Sequence, residues 1–161
     1  MHARYLFAVG LLACASVPAE AQLRAASVLT LDGARNIVAA AEAEAVKNKW
    51  PMSIAIVDAS GGLVLFHKLD GSRPSNVDFA QAKARTAARY QRTTKSLDSA
   101  VTAGRIQLLA SDALPIEGGE PILVDGQVIG AVGVSGGTAA QDAQVARAGI
   151  AALKTSIVHD R

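Results

Sequence analysis

Apolar residues fall at helical spacing between Thr30 and Asn48: Ile37, Val38, Ala41 and Ala45 lie on one side, with Glu42, Glu44, Lys47 and Lys49 opposite. Thr30 or Asp32 supplies the N-cap and Pro51 ends the helix. The pattern then changes period. SIAIVD and LVLFHKL are short β-rich runs joined by Ala59-Ser60-Gly61-Gly62, which predicts a hairpin stopped by Asp70-Gly71 and Pro74. Helical spacing returns in FAQAKARTAARY, with a start at Asn76 or Asp78, and again in TKSLDSAV. PILV and QVIGAVGV flank Asp125-Gly126, the favoured composition of a type I′ turn, and predict a second hairpin. Thr138-Ala-Ala-Gln141 has the form of a capping box and opens a last helix that buries Val145, Gly149 and Ala152. Helix, two strands, two helices, two strands, helix makes an α+β single domain, with a central antiparallel-rich sheet packed by helices.

Composition adds two constraints. The 161 residues are half apolar yet poor in aromatics, so short side chains and close backbone packing must build the core. The net charge of +2 argues for neither nucleic acid nor an anionic membrane as partner. At the start of the chain, His2 and Arg4 precede the apolar run YLFAVGLLACASV, and Ala19-Glu20-Ala21 has the form of a signal peptidase site. Residues 1–21 therefore read as a signal peptide. A lead-in over 22–28, the domain over 29–155 and a tail over 156–161 follow. The expected product is exported, periplasmic or extracellular, with no stable membrane insertion. A competing reading takes Leu11-Leu12-Ala13-Cys14 as a lipoprotein box with Cys14 lipidated. Cys14 is the sole cysteine, so cleavage after Ala21 leaves no disulfide, thiolate nucleophile or thiolate metal site.

The stretch GAVGVSGGTAAQD invites a phosphate-loop reading, which its spacing does not support. Gly130, Gly133, Gly136 and Gly137 do not match G-x-G-x-x-G, and Gly137 is followed directly by Thr138-Ala139, not by Lys and then Ser or Thr. Glycines inside a strand pattern point instead to close approach of another backbone or a ligand. Gly136-Gly137 permits a sharp turn into the helix, whose free N–H groups offer an anion site.

Taken together, SIAIVDASGGLVLFHKLDGSRP, VDFAQAKARTAARY and PIEGGEPILVDGQVIGAVGVSGGTAAQDAQVARAG resemble the GlcG/HbpS family of small haem-binding proteins, which is also similar to the C-terminal domain of PduO. The resemblance spans roughly residues 29–153 in order. It implies a compact domain with a central antiparallel sheet, homo-oligomeric assembly, haem as cofactor, and haem breakdown or redox sensing in some members. The glutamate-rich E-x-x-E iron motif of one branch is absent here. No family iron ligand is carried onto a position of this chain.

Haem iron usually takes His, Met, Tyr or Cys. The mature chain offers His67, His159, Met52 and Tyr90. His159 lies at the terminus, which leaves His67 in LVLFHKL as the leading metal ligand and Tyr90 next. Lys83, Arg85, Arg89, Arg92 and Lys95 form a basic helix in which Arg85, Arg89 and Arg92 share a side. A solvated face is the plainer reading; a clamp for haem propionates or another small carboxylate is the sharper one. Glu117 and Glu120 bracket a tight glycine loop, and Asp142 suits a capping role. The candidate cofactor-binding set is therefore His67, Lys83, Arg85, Tyr90, Glu117, Gly136 and Gly137. Two other functions compete with haem binding. One is a small enzyme or accessory subunit acting on a short hydroxy or oxo acid through Lys83, Arg85 and Glu117. The other is an oligomeric scaffold without cofactor.

Overall fold

The computed structural model describes residues 27–153. Residues 1–21, read above as a signal peptide and holding Cys14, lie outside the described residues, as do most of the expected lead-in, His159 and the tail. The elements are α1 (Leu31–Lys47), β1 (Ser53–Asp58), β2 (Leu63–Lys68), α2 (Pro74–Arg89), α3 (Thr94–Thr102), a short 3-10 helix (Ile106–Ala110), β3 (Gly119–Val124), β4 (Gln127–Ser135) and α4 (Ala139–Ala151). The four strands form one antiparallel sheet in the order β2-β1-β4-β3. The α+β architecture read from the sequence is the one observed.

Strand alternation assigns the two faces. Ile54 and Ile56 of β1, with Val132 and Val134 of β4, meet Ile37, Val38, Ala41 and Val145 of α1 and α4. Ala55, Val57 and Ala131 face the other way, onto Ala80, Ala84, Ala87 and Ala88 of α2. This second layer is almost all alanine, so α2 lies close to the sheet. A Cβ on Gly133 would strike the backbone of α2 at Ala80 and Ala84. The strand glycine thus serves backbone approach, one of its two expected uses.

Local signals set most boundaries. The Thr30 side chain accepts from Gly33 N at the start of α1. Thr138 and Gln141 form a reciprocal capping box on α4. Asp125 and Gly126 both have positive φ, 49° and 75°, as a type I′ turn requires.

Two expectations need correction. Helix α2 begins at Pro74, not at Asn76 or Asp78, and Arg73 caps it without a side-chain bond. Proline suits the first helical position because the N–H it lacks would be unsatisfied there. Asn76 is not a cap; its amide donates to Ser72 Oγ, which contacts Ser53 Oγ at 2.9 Å in a buried chain. The expected arginine stripe is also shorter. Helix α2 ends at Arg89, Tyr90 is its C-cap, and Gln91 takes φ 53°. Arg92 therefore leaves the helix and donates to Ser96 Oγ, while Lys95 lies in the first turn of α3.

Candidate functional site

The seven candidate residues do not converge on one place; the fold separates them into groups. Lys83 projects from α2 past the end of the sheet, and its Nζ lies 2.6 Å from Asp142 Oδ2 on α4. Both side chains are nearly inaccessible, at 3% and 4% exposure. Lys83 also donates to Val134 O, while Asp142 Oδ1 accepts from Gly137 N at 2.9 Å. A Cβ on Gly118 would sit 2.8 Å from Lys83 Nζ, so the pair is sealed beneath a glycine. The pair joins the helix layers on opposite faces of the sheet and fixes the Gly136-Gly137 turn. Asp142 consequently does more than cap α4.

Glu117 stands beside this seal but turns away to Lys95, with Oε1 3.1 Å from Nζ. Three residues on, Glu120 pairs with Arg147 of α4 at 2.9 Å. Burial raises the Glu120 carboxyl above the usual glutamate range, against the opposing pull of Arg147. The two carboxylates therefore have different environments and separate cation partners.

Arg85 and Tyr90 belong to a third place. Tyr90 donates its hydroxyl to Asp112 Oδ1 at 2.8 Å, and Arg89 pairs with the other carboxylate oxygen of Asp112. Arg85 bonds only Gln81 among the described residues. Arg85, Thr86, Arg89, Tyr90 and Asp112 line a pocket of about 140 Å³. Met52 is fully buried in the core, with its methyl against the position a Gly137 Cβ would occupy.

His67 is elsewhere again, on the outermost strand and on the α1 side of the sheet. Its Nδ1 lies 2.9 Å from Glu42 Oε2, and the imidazole remains 44% exposed. An ionised carboxylate can only accept, so Nδ1 donates and the lone pair of the neutral ring is left on Nε2. A carboxylate behind a histidine is the usual device for orienting an imidazole ligand. Both groups open onto a cleft of about 320 Å³ shared with Phe66, Lys68, Leu69 and Asp70. No cluster of three or more His, Cys, Asp or Glu side chains occurs among the described residues.

Sequence reasoning missed the partners Asp142, Glu42 and Asp112. One signal was available for the first. Ala80, Lys83, Ala84 and Ala87 share a helical face, which puts the lysine among residues that must be buried and so demands a buried counter-charge.

A four-stranded antiparallel sheet between helix layers, carrying an oriented histidine on its outer strand, places the protein among small single-domain α+β proteins. More narrowly, the chain belongs to the haem-degrading protein HbpS-like family, whose model matches residues 29–151. It is 45% identical over 109 residues to protein GlcG of Escherichia coli strain K12, covering 67% of this chain and 81% of that protein. A double mutant of Streptomyces reticuli HbpS superposes with a TM-score of 0.76 at 29% identity, covering 90% of this chain and 99% of that one. PduOC in complex with haem superposes with a TM-score of 0.73 at 27% identity, covering 80% and 96%.

Proposed function

We propose that this protein binds haem, with His67 as an axial iron ligand, and that it works outside the cytoplasm once residues 1–21 are removed. The observation that carries the reading is the Glu42–His67 pair opening onto a cleft, in a fold whose relatives include a haem complex. The donor set fits the group. Glu42 holds the ring and leaves one nitrogen free for iron, whereas Tyr90 is committed to Asp112 and Met52 is enclosed in the core. Bound haem supplies a redox-active iron. The chain's own part is to orient the imidazole and to keep it at the surface, where a porphyrin can reach it.

Titrating the mature chain, residues 22–161, with haemin tests the reading. A Soret shift that is lost or markedly altered in His67→Ala is the expected result. Absence of any shift with the wild type overturns haem binding, and a shift unchanged in His67→Ala overturns the ligand assignment. Export is checked separately by fractionation, with Gln22 as the expected first residue. Homo-oligomeric assembly belongs to the same reading and is supported by the exposed Leu63 and Leu123 on the two edge strands; light scattering showing only monomer would refute it.

A second reading draws on the small pocket at Arg85. A guanidinium with no carboxylate partner among the described residues, in a space of about 140 Å³, suits a short hydroxy or oxo acid better than a porphyrin. Thermal stabilisation by such acids, abolished in Arg85→Met, would favour it.

A further inference from the structure

Helix α3 does not lead straight back to the sheet. Gly104 takes φ 98° and donates its N–H to Val101 O, which turns the chain into the 3-10 helix Ile106–Ala110. That helix reads IQLLA, yet none of its residues is buried. Side chains three apart eclipse in such a helix, so Ile106 and Leu109 form one stripe; they are 64% and 62% exposed. From Thr102 to Asp112 only Leu108 is even partly covered. The segment is nonetheless held in shape. Leu108 O accepts from the N–H and the hydroxyl of Ser111, and Leu114 N donates to Thr86 Oγ1. Tyr90 and Arg89 of α2 hold Asp112. This arm therefore presents a preformed apolar stripe to water, so little ordering opposes its burial against a partner.

The flanking charges indicate which partner. Arg105 precedes the stripe, is exposed, and has no ion pair among the described residues. Asp112 follows the stripe and stays half-exposed although it pairs with Arg89. A base at one end, an acid at the other and apolar side chains between make a surface complementary to its own reversed copy. We propose that two copies of the chain join through this arm, packed antiparallel about a two-fold axis. Ile106 of each copy then meets Leu109 of the other. Arg105 falls two residues short of the second copy's Asp112, about 4–7 Å, which its side chain spans. A stable contact needs about 800 Å² from each copy, and the unbroken exposure of Thr102–Asp112 offers a surface to supply it. The inference goes beyond the assembly reading above, because it places a contact off the sheet rather than at its edge strands, and it is independent of haem.

Sedimentation velocity of the mature chain, residues 22–161, over a range of concentrations tests the pairing. Wild type is expected to form a dimer or a multiple of one, and Leu109→Asp to weaken that association by about tenfold or more. Arg105→Glu is expected to weaken it by less, about threefold, and to reduce its dependence on salt. Circular dichroism melts confirm folding, which substitutions at exposed positions should leave intact. The register is tested apart from affinity. The chain from Gln22 onward has no cysteine, so Ile106→Cys and Leu109→Cys chains can be mixed and oxidised. A cross-link between unlike chains, in excess of that formed by either variant alone, is expected. If wild type associates but folded Leu109→Asp does so as tightly and the mixture shows no such excess, the arm is not the contact and assembly through other surfaces stands. If Leu109→Asp weakens association without the unlike cross-link, the antiparallel register is wrong. A wild type that stays monomeric across the micromolar range overturns the arm and the assembly reading together.

Discussion

Replacing Lys83 by Met removes one partner of the most deeply buried ion pair described in this protein. The side chains of Lys83 and Asp142 are almost fully withdrawn from water, and their charged atoms are 2.6 Å apart. Methionine fills much the same volume, so the loss is electrostatic rather than a cavity. Asp142 then keeps only Gly137 N–H as a donor among the described residues, and Val134 O loses the ammonium that served it. Breaking a buried pair on one side typically costs about 3–5 kcal/mol, because the remaining charge stays uncompensated. For a domain of this size that corresponds to a fall in Tm of roughly 10–20 °C. The companion variant Lys83→Met, Asp142→Leu removes both charges. Its remaining cost is the buried Val134 carbonyl, about 1–3 kcal/mol; the Gly137 N–H is at an exposed turn and can turn to water. The double variant should therefore be more stable than Lys83→Met alone. Urea titrations of wild type, both single variants and the double give the coupling energy directly. Additive effects, or a Lys83→Met loss below about 1 kcal/mol, would refute the clamp across the sheet end.

Three other perturbations follow from the same geometry. Gly133→Ala drives a methyl into the α2 backbone at Ala80 and Ala84, and should lower stability by about 1–3 kcal/mol in urea unfolding. Glu120 has its folded carboxyl raised by burial, so its favourable term is full below the ordinary glutamate value and is lost as pH rises through the raised one. Glu120→Gln should flatten that fall, while Arg147→Met should deepen it, as read by stability against pH across that window. Asp58 is shifted the opposite way, chiefly by the Ser60 hydroxyl and then by Gly62 N–H, so its contribution is present at neutral pH and is lost as pH falls through the lowered value. Asp58→Ala removes three hydrogen bonds accepted by Oδ1 at an exposed turn and should cost about 1 kcal/mol at pH 7, and less in acid.

What could be read from the residues divides along the range of the interactions. Both hairpins, the Asp125-Gly126 turn and the Thr138 cap depend on neighbours a few positions apart, and all were legible. The start of α2 was misjudged although its cause is equally local. Pro74 was read as a stop for β2, yet the same residue, with its fixed φ, also opens a helix. The arginine stripe failed for a related reason: the left-handed turn at Gln91, which nothing but a glutamine marks, ends the helix before Arg92. Partners across layers were beyond reach. Lys83 and Asp142 are 59 residues apart and Glu42 and His67 are 25 apart, and each contact exists only once helices have stacked on particular strands.

The placement of His67 shows why the sheet's edge is the productive position for such a residue. His67 stands opposite Ile54 in the ladder between β2 and β1, on the same face, yet Ile54 is fully buried and the imidazole is not. The difference lies in the cover. Over β1 the core beneath α1 and α4 is continuous, but at the outer end of β2 only the Glu42 side of α1 reaches across. A histidine one strand further in would be enclosed and unavailable to a planar ligand; one in a loop would lack the packing that holds a ring in place. On the edge strand, Glu42 supplies orientation while the missing neighbour strand leaves room. That combination is why the haem reading proposed above rests on His67, and not on the buried Lys83 or the committed Tyr90.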